Sequence, residues 1–183
     1  TRSLEKIDEK PLRFLRYFIM ANYDTSSEKD GILREDQIYT WLSNNNAQCH
    51  YQEAPFQFVQ KMAQNVELYV KCRMPDDASE GNVHLKNIPL LAGKSYKLHL
   101  MLLLAASNMN SEAFAKFKSI LESVVYYTVI DKIATNITER TFALWCRDVR
   151  NIITVEDLDC FVKNTIIPTV MLPMAHTPET EEQ

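Results

Sequence analysis

Residues 111–151 read SEAFAKFKSILESVVYYTVIDKIATNITERTFALWCRDVRN, and this stretch predicts two helices with a short break between them. Its first half carries apolar side chains every three or four residues, which is the spacing of a buried helix face. These positions are Phe114, Phe117, Leu121, Val124 and Thr128, widened by Ile120, Val125 and Val129. Thr135-Asn136 interrupts the pattern, and we expect Thr138 to cap the second helix. The inner face of that helix is then Phe142, Trp145, Val149 and Ile152.

Two further segments pack around this pair in the predicted fold. Residues Tyr96–Ser107 are apolar on nearly every side, which is typical of a helix at the centre of a bundle. We expect this helix to lie against Phe117, Leu121 and Val124. The segment Glu53–Arg73 shows a clear amphipathic pattern. Its predicted inner face is Phe56, Val59, Met62, Val66 and Tyr69, and its outer face is Gln57, Gln60, Lys61, Gln64, Glu67 and Lys71.

The predicted fold is therefore all-α, an irregular bundle of about seven helices with a central apolar hairpin. We expect one helical domain over residues 1–167 and a flexible C-terminal tail over residues 168–183, with Pro168 ending the last helix. Val83–Ile88 is expected to form a short turn that leads into Pro89. Thr154–Asp157 resembles a capping box at the start of the last helix.

Composition and charge exclude several classes of protein. The 183 residues are 46% hydrophobic, contain only three glycines and have a formal net charge of −4. This composition fits a globular chain, disfavours a many-stranded β architecture, and gives no global attraction to nucleic acid or to an anionic membrane. There is no secretory signal and no apolar run long enough to span a membrane, and Cys49, Cys72, Cys146 and Cys160 form no CxxC pair. We therefore expect reduced thiols, a cytoplasmic location and no membrane partner.

No motif predicts catalysis, a cofactor or a metal. The segment IPLLAGKS, Ile88–Ser95, ends like a phosphate-binding loop, but Ile88 stands where that motif requires a glycine, and no good strand precedes it. A loop before a helix, with Ser95 as a cap, is the simpler interpretation. The four histidines show no helical metal-binding spacing, and no serine lies in a nucleophile elbow.

Arg140, Arg147 and Arg150 form the one candidate binding feature, called the arginine stripe here. On one helix the first two lie almost on the same face, and the third follows three residues later. Three arginines on one face can hold phosphates, so the stripe is a candidate nucleic-acid-binding site. The alternative is a solvated face on which Glu139 and Asp148 are the ionic partners.

Two segments resemble a known prokaryotic family. They are RFLRYFIMANYD, Arg13–Asp24, and LESVVYYTVIDKIATNITERTFALWCRDVRNI, Leu121–Ile152. Both are similar to the helical subdomain in the N-terminal domain of GmrSD-type, modification-dependent restriction endonucleases and related phage-defence proteins. Members of that family usually begin with a ParB-like subdomain that bears an Asp-Gly-Gln-Gln-Arg motif, and they often end in an HNH-type nuclease domain. This chain contains neither the motif nor an HNH-like histidine cluster, so no catalytic residue is transferred from the family.

The resemblance implies a non-catalytic helical module that supports a separate nucleotide- and DNA-processing part. Its partners would be other domains of the same longer chain, and DNA contacted weakly through the arginine stripe. The first residue, Thr1, is not a methionine, which is consistent with a piece of a longer chain. The alternative function is a free-standing helical protein-interaction or adaptor domain.

Overall fold

The protein is all-helical over the residues that its computed structural model describes, 2–171. The predicted all-α class is confirmed, because this part of the chain contains no strand. It contains more helical segments than the about seven predicted, since several are single turns. None of the helices within 2–171 is both long enough and apolar enough to cross a membrane.

The helices follow one another with short connections. They are α1 Arg2–Glu5, α2 Pro11–Asn22, α3 Ile38–Asn44, α4 Asn46–Cys49, α5 Pro55–Arg73, α6 Asn82–Ala92, α7 Leu98–Ala105, α8 Ser111–Ile130, α9 Thr135–Val149, α10 Val155–Phe161 and α11 Ile167–Met171. Short 3₁₀ turns occupy Lys29–Gly31, Glu35–Gln37 and Ala106–Asn108, and a π turn spans Val162–Ile166.

Helix α7 forms the centre of the bundle, as its composition predicts. All of its residues, Leu98–Ala105, are buried. Its main neighbours are α9, α2 and α5, however, and its contact with α8 is minor. The expected packing of α7 against the α8 residues Phe117, Leu121 and Val124 is therefore only a small part of its contacts. A helix that is apolar on all sides carries no signal for which neighbour covers which side.

Helix α8 instead packs chiefly on α6. The two helices approach closely at Gly81, which precedes α6 with φ +75°, and a Cβ atom there would lie 2.8 Å from the carbonyl oxygen of Ala115. The expected turn at Val83–Ile88 is wrong, because α6 runs from Asn82 to Ala92 and contains Pro89. Burial of Leu85 and Ile88 outweighs the backbone hydrogen bond that the proline removes.

The predicted hairpin of α8 and α9 is present, with its break shifted toward the N-terminus. Helix α8 ends at Ile130, and α9 already begins at Thr135. Thr138 is therefore not a cap but a buried residue of α9, whose hydroxyl donates to the carbonyl of Ala134 at 3.4 Å. The inner face is confirmed, because Phe142, Trp145, Val149 and Ile152 are all buried.

The predicted inner face of α5 is correct only toward its C-terminal end. Tyr69 is fully buried, but the side chains of Phe56 and Val59 are 80% and 53% exposed. The most deeply buried residues of α5 are Asn65, Tyr69 and Cys72. In its first turns Phe58, and not Phe56, packs on the core, with its ring beside those of Phe18 and Tyr23.

The capping box before α10 is confirmed. Asp157 N donates to Thr154 Oγ1 at 3.2 Å, and Thr154 N donates to Asp157 Oδ2 at 3.0 Å. Pro168 does not end the last helix, as was expected, but lies inside α11. The π turn before it widens the helical hydrogen-bonding pattern, which relieves the clash of a proline ring with the preceding turn. Most of the predicted tail, residues 172–183, lies outside the described residues.

Candidate nucleic-acid interface

The arginine stripe on α9 is divided by the fold into two parts. Arg147 and Arg150 line one small pocket together with Asp24, Thr25 and Ser26. Arg140 is exposed two turns earlier on the same helix and lines neither this pocket nor the cleft described below. The structure thus brings two of the three predicted residues together.

The acids expected as partners in the alternative interpretation are also divided. Glu139 pairs with Arg16 of α2, so it ties α9 to the bundle. Asp148 Oδ1 lies 3.8 Å from Arg147 Nε, at an exposed position where an ion pair contributes little. Asp24 faces the two arginines, and its pKa is lowered first by hydrogen bonds from Ser26 and then by the charges of Arg150 and Arg147.

Arg150 is the anchored member of the stripe. Its side chain is half-buried, and Nε donates to the carbonyl oxygen of Cys146 at 3.2 Å. Its own carbonyl oxygen accepts a hydrogen bond from Asn108 Nδ2 at 3.0 Å. Burial lowers the pKa of this guanidinium. Because its backbone and side chain are both tethered, the remaining guanidinium N–H groups are held in a defined place.

Arg150 also lines a larger polar cleft of about 490 Å³ between α5, α7 and the end of α9. We call it the amide cleft, because Asn22, Gln64, Asn65, Asn108 and Asn151 line it, together with Lys61, Leu68, Ala105 and Ser107. No acidic side chain in the described part of the chain lines it. A cleft with two cations and five carboxamides is suited to an anion.

Lys61 is the cation opposite Arg150. Its ammonium group lies 4.8 Å from the centre of the Tyr23 ring, a cation–π contact at the boundary between the amide cleft and a neighbouring pocket that Tyr23 and Lys61 both line. Its pKa is lowered mainly by burial and further by the charge of Arg150. The two like charges therefore repel one another across this cleft, and a bound anion would relieve that repulsion.

The amides that line the cleft are oriented by other hydrogen bonds. Asn22 Nδ2 donates to Asn65 Oδ1 at 3.0 Å and to the carbonyl oxygen of Phe18 at 3.0 Å. Asn65 Nδ2 donates to the carbonyl oxygen of Lys61 at 2.9 Å. This chain of bonds joins α2 to α5 and fixes the position of the Lys61 backbone.

Lys61 is the residue that sequence reasoning missed. Its position on the polar side of α5 predicts a solvated side chain, whereas the structure places it in the amide cleft. The only local signal is the cluster of amides around it, Gln57, Gln60, Gln64 and Asn65. Its approach to Arg150 is a tertiary contact between residues almost ninety positions apart, and no spacing rule predicts such a contact.

Several other candidate side chains are paired or buried outside the two pockets that Arg150 lines. His50 Nδ1 lies 2.8 Å from Glu53 Oε2, and His84 Nδ1 lies 2.5 Å from Glu122 Oε2. Burial raises the pKa of the Cys72 and Cys146 thiols to about 12, so neither is a thiolate near neutral pH. Among the described residues, no group of three or more His, Cys, Asp or Glu side chains could hold a metal ion.

Searches of protein-family models, of curated proteins and of solved structures find no match to this chain.

Proposed function

We propose that this chain is a non-catalytic helical module that contacts nucleic-acid phosphates through the amide cleft and the neighbouring Arg147. The observation that supports this proposal best is that Lys61 and Arg150 face one cleft whose described lining contains no acid. The proposal agrees with the resemblance to the helical subdomain of GmrSD-type proteins, in which the nucleotide- and DNA-processing chemistry belongs to other parts of the chain.

The expected binding is weak and indifferent to base sequence. Two anchored cations and one exposed arginine can neutralise only a few phosphates, and the chain as a whole carries a net charge of −4. The dissociation constant for duplex DNA should therefore be ~10⁻⁴ M, at the weak end of non-specific binding, and should rise steeply with salt. Oriented amides can add hydrogen bonds to phosphate oxygens without reading the bases.

Fluorescence anisotropy with labelled duplex DNA at several low salt concentrations tests the proposal. The double variant Lys61→Met and Arg150→Gln should bind more weakly, and the slope of log affinity against log salt should decrease by about 2, one unit for each lost contact. Methionine retains the packing of the Lys61 stem over Tyr23. Glutamine retains a donor that can reach the Cys146 carbonyl.

Arg140→Gln is the matched control, because it removes the same charge from the same helix outside the cleft. Its salt slope should equal that of the parent. A loss equal to that of the double variant would show that the whole arginine stripe is the site, as the sequence alone predicts, and would refute the role of the cleft. Circular dichroism confirms that each variant is folded.

The adaptor function is the second candidate, and it is favoured by the exposure of Phe56 and Val59 on α5. If the parent shows no DNA binding at low salt, the phosphate-contact proposal fails and the adaptor function becomes the favoured interpretation. Phe56→Ser and Val59→Ser should leave DNA binding unchanged, which separates the two surfaces in one set of measurements.

A further inference from the structure

A second cationic cleft lies where α2 and α7 begin and α5 ends. Its volume is about 360 Å³, and we call it the basic cleft. Four of its side chains are cationic, Arg13, Arg73, Lys94 and Lys97, and they are joined by Asp8 and Ser95. The four cations come from three separate segments, so the fold and not the local sequence assembles the charge.

Two of the four cations have a carboxylate partner. Glu9 is buried, and its Oε2 accepts from Lys97 Nζ at 2.9 Å and from Tyr69 Oη at 2.7 Å. Its Oε1 accepts from Lys10 N at 3.0 Å and lies 3.6 Å from Arg13 Nη1. Both carboxylate oxygens of Glu9 are thus engaged by groups of the protein.

Arg73 and Lys94 have no ion pair with any side chain in the described part of the chain, although Asp8 lines the same cleft. Arg73 Nη2 donates only to the carbonyl oxygen of Lys94, at 3.3 Å. Arg73 Nε is shielded from solvent and has no hydrogen-bond partner among the described residues. Buried polar groups in native proteins are nearly always hydrogen-bonded, so this donor indicates a missing acceptor.

Two more buried polar atoms in the same region lack a hydrogen-bond partner among the described residues. His99 Nδ1 and Tyr96 Oη are buried without a described partner, and the two rings stack with centroids 5.7 Å apart. The charge of Arg73 acts on His99, which places both beside the start of α7. Four cations against the carboxylates of Asp8 and Glu9 leave an excess of two positive charges at this cleft.

We propose that the basic cleft binds a phosphate dianion, either orthophosphate or the monoester phosphate of a nucleotide, with Arg73 and Lys94 as its direct ligands. The excess of two charges matches a dianion, and the guanidinium fork matches the spacing of two phosphate oxygens. Glu9 holds Arg13 and Lys97 in place, so the positive potential does not depend on mobile side chains. The volume of the cleft leaves room for a substituent beside the phosphate group.

Recognition here differs from that of a phosphate-binding loop. Lys94 follows Gly93, whose φ is +89°, but helix α6 and not a strand precedes them. The segment therefore lacks the strand–loop–helix arrangement of that motif, and the argument for binding rests on side-chain charge. The inference is independent of the amide cleft, which none of the same cations lines.

Isothermal titration calorimetry with orthophosphate, and separately with adenosine monophosphate, tests the site. Lys94→Met and Arg73→Met should each weaken the binding roughly tenfold, the effect of losing a charge-assisted hydrogen bond. Lys94 is exposed, so its variant tests the site even if Arg73→Met fails to fold. Lys71→Met is the matched control, because Lys71 is an exposed lysine in the last turn of α5 outside the cleft.

The possible outcomes separate cleanly. Weaker binding in the Arg73 and Lys94 variants, with parental binding in Lys71→Met, supports the site. Equal weakening in Lys71→Met would show a general charge effect and overturn the proposal, as would parental binding in Lys94→Met. Monophosphate binding at least as tight as that of orthophosphate identifies a nucleotide ester as the ligand, whereas orthophosphate binding alone identifies the free anion.

Discussion

Helices α2 and α5 each line both clefts, at opposite ends, and the two ends hold their charges in different ways. Helix α2 contributes Arg13 to the basic cleft and Asn22 to the amide cleft, and α5 contributes Arg73 and Lys61 in the reverse order along the chain. At the basic end a buried carboxylate holds the cations. At the amide end the cations are held by backbone carbonyls, a tyrosine ring and carboxamides.

This difference shows two ways to keep a cation in place. A buried carboxylate orients its partners strongly, but it also cancels part of the charge, so the basic cleft needs four cations for an excess of two. Amides and carbonyls orient more weakly and cancel no formal charge, so Lys61 and Arg150 suffice at the amide end. Removing the group that holds the cations should therefore lower the free energy of unfolding more at the basic end than at the amide end.

The largest effect is expected in α7, which joins the two ends. Leu102→Asp should unfold the domain, because an unpaired buried charge costs several kcal/mol out of the roughly 5–15 kcal/mol that stabilise a domain. Both clefts should be lost together. A thermal melt followed by circular dichroism measures this, and a melting temperature within a few degrees of the parent would show that α7 is peripheral.

At the basic end, Glu9→Gln should lower the free energy of unfolding by about 3 kcal/mol, because it leaves Lys97 partly buried without its counter-charge. Urea denaturation measures the change. The matched variant at the amide end is Asn65→Ala, which should cost only about 1 kcal/mol because Asn22 keeps its bond to Phe18. Equal losses at the two ends would contradict the comparison.

A further effect concerns pH and also belongs to the basic end. Burial, aided by the charge of Arg73, lowers the pKa of His99 to about 3. Below the unfolded pKa of about 6.5, the unfolded chain binds a proton that the native state excludes, so stability falls as the pH falls. At pH 5 the loss should be about 2 kcal/mol relative to pH 7. His99→Phe keeps the aromatic stack and should remove that part of the loss, which urea denaturation at both pH values tests.

The burial of the central helix and of one face of α9 could be predicted because each signal lies within a single continuous segment of sequence. Leu98–Ala105 is apolar in every position, and Phe142, Trp145 and Val149 repeat at helical spacing. Hydrophobic burial acts on these patterns wherever the neighbouring helices lie. The all-α class follows from the same local information.

Other features depended on contacts that a local pattern does not contain. The amphipathic pattern of α5 predicts Phe56 on the buried side, but the structure packs Phe58 on the core and leaves Phe56 exposed. Pro89 suggested a helix end, but packing on α8 overrides it. Arg147 and Arg150 lie three residues apart at the end of one helix, so their spacing identifies them. Lys61 and Arg73 could not be found in this way, because their partners in the clefts come from distant segments.

The close contact at Gly81 fixes the position of α6, and with it the position of the residues that follow the other end of this helix. An α-helix of eleven residues is a stiff rod of about 16 Å, and one end of this rod rests against the Ala115 carbonyl with no room for a methyl group. Beyond its other end lie Gly93 and Lys94. A larger residue at position 81 would push this end of α6 away from α8 and so displace Lys94 beyond the other end. A substitution outside the basic cleft would then change the geometry of that cleft.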